Sequence, residues 1–68
     1  MNKICLNVEF LVDTSIEEAL EEAKLLAQKL GVAYINFSFN GIRISVSPTA
    51  DIKKGLEDFY EGKRIIVI

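Results

Sequence analysis

Ala33-Tyr34-Ile35-Asn36-Phe37-Ser38-Phe39-Asn40-Gly41-Ile42-Arg43-Ile44-Ser45-Val46-Ser47 decides the fold of this chain. Asn40-Gly41 is the preferred pair for a type I′ turn, in which both central residues take positive φ. Placing the pair in a two-residue loop sets Phe39 opposite Ile42, Phe37 opposite Ile44 and Ile35 opposite Val46. Every apolar residue then meets an apolar residue on one face, and Tyr34, Asn36, Ser38, Arg43, Ser45 and Ser47 occupy the other. A slip of one residue would scramble both faces, so turn chemistry and side-chain alternation specify the same hairpin register.

Upstream of the hairpin lies an amphipathic helix. Asp13-Thr14-Ser15-Ile16-Glu17-Glu18 is dense in helix-start residues, and Thr14 with Glu17 or Ser15 with Glu18 can form a capping box. Ile16, Ala19, Leu20, Ala23, Leu26, Ala27 and Leu30 recur at helical spacing, and Gly31 is the expected stop. Residues 4–12 alternate as a half-buried strand: Ile4, Leu6, Val8, Phe10 and Val12 on the core side, Cys5, Asn7, Glu9 and Leu11 on the other. Downstream, Pro48 ends the third strand and Thr49 is the expected N-cap of a second helix from about Ala50 to Glu61. Its apolar stripe is Ile52, Leu56 and Phe59, with Tyr60 at the edge and Gly62 as the stop. Ile65-Ile66-Val67-Ile68 reads as a short last strand.

The order βαββαβ, with right-handed crossovers and both helices on one face, predicts an α+β domain with a ferredoxin-like antiparallel sheet. The alternative is βαββα, with the last four residues pairing to another chain or lying over the core. The 68 residues form one domain, with a core small enough to gain from a partner subunit. The one cysteine, Cys5, can form no internal disulfide, and the chain has no histidine. Those two facts remove the usual zinc patterns and the Ser/His and Cys/His nucleophile pairs. Glu17/Glu21 and Glu18/Glu22 could attract a hard cation, but a solvated helix face is the simpler account. No cofactor, no metal and no enzymatic activity are therefore expected. Apolar runs fall far short of the ~20 residues of a membrane helix, so the expected location is the cytoplasm.

Net charge is −2, and the only adjacent basic pairs are Lys53-Lys54 and Lys63-Arg64, which disfavours nucleic acid as a direct ligand. In a ferredoxin-like sheet the central strands would be the first and third, with no aromatic on the open face on which to stack a base. The second helix runs against the dipole rule, with Lys53 and Lys54 early and Glu57, Asp58 and Glu61 late. Gly55 costs it up to about 1 kcal/mol, explained if the helix approaches the sheet closely there.

The motif Ala33-Tyr34-x-x-Phe37-x-Phe39-Asn40-Gly41-Ile42-x-Ile44, preceded by a helix ending Lys29-Leu30-Gly31, resembles small uncharacterised accessory proteins of bacteriophages and prophages. The similarity covers the middle half of the chain. It implies a protein of the host cytoplasm that binds and disables a host protein, defence nucleases included. A non-catalytic protein-binding module is thus the leading expectation, with Glu18, Glu21, Leu25, Tyr34, Asn36, Arg43 and Ser45 as candidate partner contacts. A self-assembling homodimer joined through Ile66 and Ile68, and a small-ligand or metal sensor, are the alternatives.

Overall fold

The computed structural model describes residues 5–9 and 14–68. Its elements are β1 (Cys5–Asn7), α1 (Ile16–Leu30), β2 (Tyr34–Phe39), β3 (Ile42–Val46), α2 (Ile52–Tyr60) and β4 (Ile65–Val67), in the βαββαβ order expected. The hairpin register is the one the turn dictates, Ile35 facing Val46, Phe37 facing Ile44 and Phe39 facing Ile42. Asn40 and Gly41 have φ of 52° and 80°, the left-handed conformations a type I′ turn requires.

α1 begins with the Ser15/Glu18 capping box and ends at Gly31, whose N–H donates to the Ala27 carbonyl. Ile16, Ala19, Leu20, Ala23 and Ala27 form its buried stripe, whereas Leu30, expected in that stripe, is half exposed at the last turn. α2 starts later than expected. Its N-cap is Asp51, which accepts from the Lys54 N–H, and not Thr49; Ala50 is buried in the preceding turn, where its N–H donates to the Ser47 carbonyl. A carboxylate at the N-cap also meets the positive end of the helix dipole, which the lysines of the first turn do not. At the far end the Gly62 and Lys63 N–H groups donate to the Phe59 and Asp58 carbonyls in a Schellman closure.

The sheet is mixed, in the order β1-β2-β3-β4, with β1 parallel to β2, β2 antiparallel to β3 and β3 parallel to β4. This corrects the expectation of an antiparallel, ferredoxin-like sheet with the first and third strands central: β1 and β4 form opposite edges. The free side of β3 is taken by its immediate successor, which buries Ile66 beside Ile44. β1 has no fully buried residue that would suit a central position. Ile4, Phe10, Leu11 and Val12, expected to extend β1, lie outside the described residues.

Leu20, Ile35, Ile44, Val46 and Ile66 are fully buried in one cluster, and Val8, Ile52, Leu56, Phe59 and Ile68 pack against it. Both helices therefore cover the same face of the sheet. The two crossovers step in one direction across that sheet, start on antiparallel strands and run over one face, so they have opposite hands. One of them is left-handed, where about 98% of such connections are right-handed. The expectation of two right-handed crossovers fails for this reason.

Gly55 explains how closely α2 sits on the sheet. A Cβ at this position would meet the Ile68 Cδ1 at 2.6 Å and the Leu20 Cδ1 at 3.2 Å. Phe59 adds an edge-on ring contact to Phe39, with centroids 5.6 Å apart, clamping the end of α2 over the hairpin.

Candidate functional site

With the helices on one face, the other face of the sheet is uncovered by them. Strand alternation sends Cys5 and Asn7 of β1, Tyr34, Asn36 and Ser38 of β2, Arg43 and Ser45 of β3, and Ile65 and Val67 of β4 to this side. The register lines them up in rows: Asn7, Asn36, Ser45 and Val67 across all four strands, and Ser38, Arg43 and Ile65 across three. Asn7, Glu9, Asn36, Ser38, Arg43 and Ser45 line a shallow concavity in it. Of the sequence-derived candidates, Tyr34, Asn36, Arg43 and Ser45 thus share one surface.

Asn36 carries the chemistry of that concavity. Its side-chain carbonyl oxygen is fully buried and has no hydrogen-bond partner. A buried acceptor without a donor costs about 1–3 kcal/mol, and a ligand or partner N–H would remove that cost. Arg43 is exposed at the rim, and neither its guanidinium nor that of Arg64 has an ion-pair partner among the described residues.

The candidates on α1 stand apart, across the core. Glu18 is exposed yet engaged: its Oε1 accepts from the Ser15 hydroxyl at 3.0 Å and from the Ser15 N–H at 3.3 Å. Glu21 is exposed in solvent. Leu25 is 56% exposed and forms a small depression with Glu22, Leu26 and Lys29. Leu30, at the last turn of the helix, is exposed as well.

At the β4 edge the assignment reverses. Ile66 is buried and Ile68 packs on the core, so neither is available to a partner. Alternation exposes Ile65 and Val67 instead, at 69% and 59%. Compared with protein-family models, with curated proteins and with solved structures, the chain matches none. The site is thus read from its own residues.

The sequence missed Lys63. Its Nζ lies 3.1 Å from Asp58 Oδ1, and Lys54 Nζ lies 3.0 Å from the same oxygen. Hydrogen bonds from Lys54 and then Lys63 hold the Asp58 carboxyl below its usual range. The same pairing raises Lys54. This clamp offsets part of the reversed charge order of α2, since the late Asp58 is met by two lysines. Its Lys63 bond links α2 to the turn that leads into β4.

The change in strand order also revises the aromatic argument. β2 and β3 are the central strands, so Tyr34 lies on a central strand, half-buried beside Cys5 of β1. It is the one aromatic that the described residues place on the open face.

No helix among the described residues is long and apolar enough to cross a membrane, and no group of three or more His, Cys, Asp or Glu gathers there to hold a metal. Cys5 is an exposed free thiol.

Proposed function

We propose that this chain is a non-catalytic protein-binding module, of the kind phages encode to disable a host protein. The observation that carries the reading is the uncovered sheet face running to β4, where Ile65 and Val67 stand exposed next to Arg43. Exposed apolar side chains grouped beside an arginine, on a rigid strand surface, suit recognition of another protein. Immobilised wild-type protein should retain a specific protein from bacterial lysate. The double variant Ile65→Lys/Val67→Lys should lose it while keeping its circular dichroism spectrum. Equal capture by both would refute the reading, as would none by either.

Two alternatives have their own support. The β4 edge, unpaired among the described residues, suits a homodimer through backbone pairing, with Ile65 and Val67 in place of Ile66 and Ile68. The orphaned Asn36 carbonyl suits a small-ligand sensor, in which a ligand N–H would approach from the open face.

A further inference from the structure

Among the described residues β4 is the last strand of the sheet, and its outer side carries backbone groups that β3 does not use. The Arg43 N–H donates to the Arg64 carbonyl at 2.9 Å, the Ile68 N–H to the Ser45 carbonyl at 3.0 Å, and the Ser47 N–H to the Ile68 carbonyl at 2.9 Å. Residues of even number in this segment therefore face β3. In an extended strand the backbone groups alternate sides, so the N–H and C=O of Ile65 and Val67 point out from the edge. Sheet edges are commonly blocked by proline, charge or a bulge. Residues 65–67 carry no proline and no charge, and they pair regularly with β3.

Just before them stands Arg64, exposed and without an ion pair among the described residues, and Arg43 lies beside Ile65 on the open face. We infer that the outer edge of β4 accepts an extended segment of a partner protein, with a carboxylate opposite Arg64 and apolar residues opposite Ile65 and Val67. The inference rests on the protein-binding reading above and names the class of partner. Main-chain bonds to Ile65 and Val67 supply the docking, and the side chains supply the choice of sequence. A guanidinium recognises a carboxylate through paired N–H groups, which sets the polarity and register of the added strand. In the antiparallel arrangement the partner reads apolar-x-apolar-acidic, its residues facing Val67, Ile66, Ile65 and Arg64 in turn.

A second copy of this chain fits the edge less well. Two-fold pairing would set Ile65 against Val67 and Arg64 against Ile68, so a second copy offers Arg64 no acidic side chain. The acids of the chain sit largely on its helices. A three-residue edge is also short for a stable dimer, whose interfaces bury roughly 1,200 Å² or more.

The test is a titration of the isotope-labelled full chain with a blocked decapeptide centred on Val-Thr-Ile-Glu, followed by amide NMR. The Ile65 and Val67 amides should shift and gain protection from exchange. Arg64→Glu should weaken the peptide about tenfold, and changing the peptide's Glu to Lys should restore binding to that variant alone. The inference falls if millimolar peptide leaves those amides unmoved, or if the charge swap has no effect. It falls equally if the free protein sediments as a dimer with Ile65 and Val67 already protected, since a second copy then holds the edge. Should the peptide ignore the edge while Ile65→Lys/Val67→Lys still abolishes capture of a cell protein, the binding reading stands and this strand geometry alone is lost.

Discussion

Asp58 is the residue at which stability and surface geometry meet. Its carboxyl accepts from both Lys54 and Lys63, and those bonds favour the ionised form. A group whose pKa is lowered by folding stabilises the fold fully above its unfolded pKa, ordinarily near 3.8. That contribution fades as pH falls from there through the lower folded value. Asp58→Asn should therefore lower the thermal midpoint at neutral pH, and the gap from wild type should close as both are titrated below pH 3.8. A gap independent of pH would show that charge plays no part. Gly41 is the second residue with a sharp consequence. At φ 80° a β-branched side chain is strained, so Gly41→Val should cost about 1–3 kcal/mol in urea unfolding, with the m-value unchanged.

At the scale of elements, what could be read in advance was whatever local chemistry determines. The hairpin was legible because Asn40-Gly41 and the Ile35-Phe37-Phe39 alternation separately specify one register. α1 was legible because Ser15, Glu18 and Gly31 mark its ends. The place of β4 was not. Ile65–Ile68 announces a strand, but whether it pairs with β1 or β3 depends on which edge is open and on how firmly β1 is held, and neither is a local property. The same gap moved the exposed pair from Ile66 and Ile68 to Ile65 and Val67, because the phase of a four-residue apolar run has no polar residue to fix it. It also hid the Asp58–Lys63 pair, which exists because α2 turns directly into β4. Gly55 was legible as an oddity and acquires its reason from packing. The atom crowding its absent Cβ most closely is the tip of the Ile68 side chain, which can turn aside. Gly55→Ala should thus stay within about 1 kcal/mol of wild type, helix propensity offsetting the displacement. Gly55→Leu should cost about 1–3 kcal/mol or more by overpacking the helix–sheet contact. Equal stability of the two variants by chemical denaturation would show that α2 stands off the sheet.

The whole molecule is charged unevenly. Glu17, Glu18, Glu21 and Glu22 crowd the first half of α1, while Arg43, Lys63 and Arg64 gather on β3 and at the entry to β4. Phosphate-backbone binding draws on clustered cations across a surface, and each neutralised phosphate steepens the salt dependence. Here two of the three cations flank an apolar strand, the third is held by Asp58, and net charge is −2. Tyr34 sits half-buried on β2, a weak platform for stacking bases. Direct binding to DNA or RNA should accordingly be absent or weaker than micromolar at physiological salt; a tight, salt-sensitive complex in fluorescence anisotropy would overturn this. The acidic half of α1 has the charge to occupy a basic protein groove in place of nucleic acid. Replacing Glu21 by Gln removes one exposed charge, and replacing Glu18 by Gln removes another while leaving a side chain able to complete the capping box with Ser15. If α1 is the docking face, the double variant should weaken capture of the host protein, more so at low salt, with its thermal midpoint unchanged. If β4 is the docking face, the same variant should bind as wild type and Ile65→Lys/Val67→Lys should not, so the two faces are separated by one pair of measurements on folded protein.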